Sequence, residues 1–197
     1  MEAFLVSTWS VALAEIGDKT QLLALVLAAR FRKPLPIVTG ILCATLLNHA
    51  AAGTLGTWIG TVLPADILRW ILGLSFIAMA IWMAIPDRID EDELRITSNA
   101  GIFIATAIAF FFAEMGDKTQ IATIALAAHY LAPVSVIAGT TLGMLIANVP
   151  AVFIGNRFAA KLPMRLVHGI AAAIFVVLGL LILSGAGESV SSLLEAR

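Results

Sequence analysis

Glu15 and Asp18, and again Glu114 and Asp117, stand inside stretches that are otherwise apolar. Each pair belongs to an octet, Ala14-Glu15-Ile16-Gly17-Asp18-Lys19-Thr20-Gln21 and Ala113-Glu114-Met115-Gly116-Asp117-Lys118-Thr119-Gln120, and the two differ only at Ile16 and Met115. On a continuous helix, residues three and four apart share a face. The spacing therefore predicts that each acid pair points one way, with Lys19 and Lys118 reaching back along the same side. Thr20, Gln21, Thr119 and Gln120 add neutral oxygen ligands or hydrogen bonds. Gly17 and Gly116 leave bare backbone beside the acids, where a second helix or an ion can approach and a carbonyl can be exposed. Oxygen donors of this kind suit Mg²⁺, Ca²⁺ and Mn²⁺, whereas Cu(I) and zinc sites usually recruit thiolate, thioether or imidazole. Brought together, four carboxylates and two ammoniums carry a formal charge of −2 when ionised. One divalent cation would neutralise it. A pair of salt bridges gluing helices would need no Gly, Asp, Thr and Gln recurring in the same order.

The elements that must hold these groups lie in lipid. The chain has 197 residues, 60% hydrophobic and 13% charged, with a mean hydropathy of +1.00; a soluble domain is about half apolar and a quarter charged. Apolar runs bounded by charges and prolines predict six spans: Phe4 to Ala29, Pro36 to Leu63, Ile67 to Ile85, Gly101 to Ala128, Pro133 to Ile154 and Leu166 to Ser184. The first has no basic residues before it and is too long for a signal-peptide core, so the expected mature chain starts at Met1. The fold class is all-α, an integral membrane protein. At bilayer depth a charge costs about 2.5–3.5 kcal/mol on insertion scales, so the octets must face one another or water.

A shift of 99 residues superposes the octets and then, without a gap, Leu27-Ala28-Ala29 on Leu126-Ala127-Ala128, Pro34 on Pro133, Gly40 on Gly139, and Leu63-Pro64 on Leu162-Pro163. The halves, 1–86 and 100–197, flank an acidic linker at 87–99. Three spans per half invert the second copy in the membrane, an architecture common among transporters, with the site near the midplane. Arg30, Arg32, Lys33, Arg88, Arg95, Arg157, Lys161 and Arg165 all fall on one side, against Arg69 and Arg197 on the other. By the positive-inside rule the first side is cytoplasmic and both termini face outward. Trp58, Trp70 and Trp82 near span ends fit the interface; Trp9 lies deeper.

Other polar residues are weaker candidates. Asn48, and Asn148 in the matching part of the fifth span, can complete a coordination shell or hydrogen-bond helices. His49, which aligns with Asn148, reads first as structural. Pro150 removes a helix hydrogen bond. The acids Asp87, Asp90, Glu91, Asp92 and Glu93 read as a solvated linker without EF-hand spacing. Met79, Met83, Met115 and Met144 read as packing, Cys43 as an inert buried thiol, and Ser189 to Arg197 as a frayed end. A net charge of −1 without a basic cluster excludes nucleic-acid partners, and a single cysteine excludes an internal disulfide. No Walker-type sequence is present, so nucleotide hydrolysis by that route is excluded.

At its octets the chain resembles the small membrane family marked by two Glu-x-Gly-Asp-(Lys/Arg)-(Ser/Thr) motifs, which includes the manganese/calcium transporters of the eukaryotic Golgi and bacterial manganese exporters. The likeness covers nearly the whole chain. It implies proton-linked movement of Mn²⁺ or Ca²⁺ as transported substrate, with no resident cofactor and no enzymatic activity. It also implies that Glu15, Asp18, Glu114 and Asp117 are the metal ligands, and that a chain this compact exports manganese across the bacterial plasma membrane. The expected function is a secondary exporter of Mn²⁺ working by alternating access in exchange for protons. The alternatives are a Ca²⁺/H⁺ exchanger, a passive divalent channel and, further off, an exporter of cationic amino acids.

Overall fold

In hydrocarbon a backbone amide finds no water, so a chain this apolar can satisfy its peptide groups only in helices or in a closed barrel. The computed structural model describes residues 1–82, 101–154 and 164–184, and among these residues the chain is helical with no strand. The helices are α1 (Glu2–Glu15), α2 (Lys19–Phe31), α3 (Pro34–Val62), α4 (Ala65–Trp82), α5 (Ile102–Glu114), α6 (Lys118–Tyr130), α7 (Pro133–Ile154) and α8 (Met164–Ser184). Three of them, α3, α4 and α7, are each long and apolar enough to cross a membrane. The 29 residues of α3 extend about 44 Å, beyond a hydrocarbon core of about 30 Å.

The expected first and fourth spans are corrected. Neither is one helix: α1 stops at Glu15 and α2 starts at Lys19, and α5 stops at Glu114 and α6 starts at Lys118. The cause is local. Gly17 and Gly116 have φ of +86° and +76°, a left-handed conformation that ends a helix and that glycine adopts without the Cβ penalty. The other expected spans match α3, α4, α7 and α8 to within a few residues, as far as the described residues run. The linker acids from Asp87 to Glu93, Met83, the cations Arg88, Arg95, Arg157 and Lys161, and the Ser189 to Arg197 segment lie outside them. Met115, expected in the packing, is instead 51% exposed beside the second break, and Cys43 is half-buried rather than buried.

The halves exchange partners. Helix α1 runs along α7 and α5 along α3; α2 also meets α7 and α6 meets α3, while α4 packs on α8. A Cβ on Gly40 would stand 2.9 Å from Phe103 O and 2.8 Å from Thr106 Cβ; one on Gly139 would stand 2.6 Å from Phe4 O and 3.0 Å from Ser7 Cβ. Every residue of the second contact lies 99 positions from its counterpart in the first. Likewise Arg32 and Leu131 end α2 and α6 in the left-handed conformation, their N–H groups donating to Ala28 O and Ala127 O.

Apolar packing forms two clusters, one around Phe76, Phe175 and Leu126, the other around Leu23, Leu27, Ile37, Ile41 and Phe110. Outside them the usual order is reversed. Trp9, Trp58, Trp70, Ile81 and Phe112 are exposed, whereas Glu15, Asp18, Asn48, His49 and Lys118 are buried. Water would penalise such a surface and lipid does not.

Gly40→Ala and Gly139→Ala should each lower stability by about 1–3 kcal/mol, because the added methyl meets backbone carbonyl oxygens that cannot yield. Gly169→Ala, where the added carbon meets no other part of the described residues within 4 Å, should not. The unfolding midpoint of purified protein in detergent checks all three.

Candidate metal centre

The motif acids sit at helix ends. After Glu15 the chain passes through extended Ile16 and left-handed Gly17 to Asp18, the N-cap of α2 with φ −77° and ψ 168°; Asp117 caps α6 with φ −79° and ψ 165°. An N-cap aspartate normally turns its carboxylate onto the first amides of its helix. Neither does so here. Gln21 and Gln120 instead bridge the breaks, their side-chain oxygens accepting from Gly17 N–H at 2.9 Å and Gly116 N–H at 2.8 Å. Of the two roles expected of the glutamines, oxygen ligand or hydrogen-bond partner, these contacts are the second, and they close the breaks. Gln21 also donates from Nε2 to Ala147 O at 2.9 Å, fastening the first break to α7.

The carboxylates so released converge. Oxygens of Glu15, Asp18 and Asp117 lie within 4.8 Å of one another, and all three residues are at least 96% buried. Two oxygens on opposite sides of one ion at about 2.4 Å are about 4.8 Å apart, so the three acids can bind a single hard cation. Lys118, 2% exposed, forms an ion pair with Asp18, across the two halves. Thr20 Oγ1 donates to Glu15 Oε2 at 2.5 Å, and Glu15 Oε1 accepts nothing among the described residues. Three carboxylates and one ammonium again sum to −2 when ionised. The breaks add to the field: α1 and α5 end here with outward-facing carbonyls, which favour a cation, while α2 and α6 begin with amides, which favour carboxylates.

Glu114 departs from the expected symmetry. It is buried beside Glu15 but outside the three-acid cluster, and its Oε1 accepts from Thr45 Oγ1 on α3 at 2.8 Å, leaving Oε2 without a hydrogen bond among the described residues. The shared-face argument for the octets is also corrected, since Glu15 and Lys19 belong to different helices. Lys19 is half-buried where Lys118 is enclosed. Asn48 Nδ2 donates to Phe111 O at 3.0 Å, and Asn148 Nδ2 to Met144 O at 3.1 Å and Met144 Sδ at 3.2 Å. Both asparagines therefore make structural bonds. Asn148 Oδ1, Thr119 Oγ1 and both ring nitrogens of His49 are buried with no hydrogen bond among the described residues.

Sequence reasoning missed Thr45 and the breaks. Both left a signal. Asp18-Lys19-Thr20-Gln21 places an N-cap residue three before Gln, immediately after a glycine, the pattern that starts one helix after another has stopped. Thr45, Asn48 and His49 share one face of α3 by spacing.

With this geometry in hand, similarity to known proteins is informative. The model of the family "Divalent cation/proton antiporter GDT1" matches residues 3–91 and 102–189, two stretches whose starts are 99 residues apart. A Vibrio cholerae protein named "Putative manganese exporter" is 52% identical over 181 residues, covering 91% of this chain and 90% of the relative. The GDT1-like protein sll0615 of Synechocystis is 30% identical over 89% of this chain and 93% of its own length. GDT1-like protein 3 of Oryza sativa subsp. indica is 29% identical over 89% of this chain and 71% of its own length. No solved structure matches. This chain belongs to the GDT1 family of divalent cation/proton antiporters, membrane transporters whose metal ion is cargo rather than cofactor.

Proposed function

We propose that this protein exports Mn²⁺ from the cytoplasm across a bacterial plasma membrane in exchange for protons, by alternating access between two inverted three-span halves. Each broken helix pair, α1–α2 and α5–α6, serves as one span, giving six spans with both termini outside. Glu15, Asp18 and Asp117 ligate the ion. Glu114, beside them, completes the set when the halves rearrange. The observation that carries the reading is the convergence of three buried carboxylates from both halves at facing helix breaks. Manganese is chosen over calcium on the name of the Vibrio cholerae relative, "Putative manganese exporter". The oxygen donors alone suit Ca²⁺ equally, so a Ca²⁺/H⁺ exchanger is the second reading.

Export needs a driving force. Against an inside-negative potential of about 100 mV, moving a divalent ion outward costs about 4.6 kcal/mol before any concentration term. Carboxylate ligands provide the coupling, because a protonated acid releases its metal and a deprotonated one recovers it. Protons entering from outside displace the ion there, and their loss to the cytoplasm restores affinity. Lys118 keeps the metal-free site from being too repulsive to close.

In proteoliposomes an imposed pH gradient should drive Mn²⁺ uphill, whereas a passive channel would only dissipate a Mn²⁺ gradient. Bound Mn²⁺ on the purified protein should decline as pH falls, since protons and metal share the same oxygens. Glu15→Gln, Asp18→Asn and Asp117→Asn should each cut transport at least about a hundredfold with protein abundance little changed; full transport by any of them removes that residue from the ligand set. Lys118→Met removes the buried cation that pairs with Asp18 across the halves and should cost about 3–5 kcal/mol. Adding Asp18→Asn to it should restore abundance on immunoblots without restoring transport.

A further inference from the structure

A cavity of about 590 Å³ lies away from the acids, where the starts of α1 and α4 meet the ends of α6 and α8. Its mouth is polar, formed by Glu2, Arg69, His129 and Tyr130. Its depths are apolar, reaching the buried side chains of Leu72, Phe76 and Leu126, with Leu178 and Ile182 on one wall. Phe76 follows Arg69 by seven residues on α4, so the cavity runs about 10 Å below the polar ring, along the helix axis. A polar ring at helix ends above a greasy shaft has the profile of a headgroup above an acyl chain.

The mouth also limits the headgroup. Arg69 Nε is buried and donates to nothing among the described residues, and the guanidinium reaches Asp66 only at 3.9 Å, where the Asp66 side chain is 92% exposed. So exposed a pair contributes little. The planar guanidinium therefore keeps donors for a phosphate, the group its geometry fits best. Glu2, whose Oε1 accepts from Tyr130 Oη at 3.4 Å, adds a negative charge to the same mouth. An anionic lipid would meet that carboxylate unfavourably. A zwitterion with a hydrogen-bonding ammonium satisfies both ends.

We infer that this cavity is a binding site for a phospholipid of the phosphatidylethanolamine class, with its phosphate on Arg69, its ammonium at Glu2 and one acyl chain along Leu72 and Phe76. The lipid would wedge between the α4–α8 pair and the α1–α6 side of the bundle. The site is separate from the ion ligands and stands whether or not manganese is the cargo.

Native mass spectrometry of the detergent-purified protein, titrated with phosphatidylethanolamine, phosphatidylcholine, phosphatidylglycerol or free phosphorylethanolamine, tests it. One phosphatidylethanolamine should be retained in preference to the other lipids, and phosphorylethanolamine should not displace it. Arg69→Ala should weaken retention at least about tenfold, the value of a charge-assisted hydrogen bond. Glu2→Gln should abolish the preference over phosphatidylcholine. Leu181→Trp, at an exposed wall position where a larger ring should be accommodated by the fold, should obstruct the shaft and lower retention of every lipid. Unchanged retention in both Arg69→Ala and Leu181→Trp overturns the site. Displacement by phosphorylethanolamine reduces it to an anion site without a lipid, and tighter phosphatidylglycerol overturns the headgroup assignment.

Discussion

Carboxylates buried away from water must be compensated by something equally buried, and in this protein part of that compensation crosses between the halves. Asp18, in the first half, is paired by Lys118 from the second. Glu114, in the second, accepts from Thr45 in the first. Each half thus helps to bury the other's acids, where the desolvation cost of an ion is still several kcal/mol after relaxation. The same crossing over governs the apolar packing, where α1 lies on α7 and α5 on α3. The polar centre and the greasy exterior impose one requirement, that the halves interlock around the acids.

The breaks suit the proposed ion site. An unbroken helix consumes its carbonyl oxygens internally and has none for a cation, whereas a helix that stops at Glu15 or Glu114 ends in several. Stopping in an apolar setting exposes amides as well, and each unsatisfied one is expensive. The glutamine three residues after each aspartate accepts from the break's glycine N–H and so satisfies one of these amides, while the aspartate makes no side-chain cap bond to its own helix. Glycine, aspartate and glutamine thus form one device, in which removing any member disturbs the others.

The spans that became α3, α4 and α7 were legible because lipid demands long apolar runs, and the repeat because a gapless 99-residue shift aligns residues with no reason to agree by chance. Helical periodicity misjudged the octets. It treats every residue in an apolar run as helical, and a single left-handed residue such as Gly17 alters no hydropathy. The meeting of Glu15, Asp18 and Asp117 was foreseen in kind, but the separate lodging of Glu114 was not. That outcome depends on which side chain α3 presents at position 45, a tertiary fact that matched octets cannot encode.

Position 45 also explains why matched motifs need not behave alike. Its counterpart 99 residues on is Met144, which has no hydroxyl to offer, and Glu15 draws instead on Thr20 within its own octet. Thr119, the counterpart of Thr20, makes no such bond to Glu114. Two glutamates of the same motif are thus held differently by neighbours that have diverged. In an antiporter built from two copies, strict symmetry would make the two access states mirror each other in energy, with equal ion affinity on either side. Divergence at the helices that cradle the acids, α3 and α7, removes that equality while leaving the motif untouched. On the proposed alternating-access cycle, cargo affinity and the balance between the two states would then change independently, the first through the octets and the second through residues such as Thr45 and Met144.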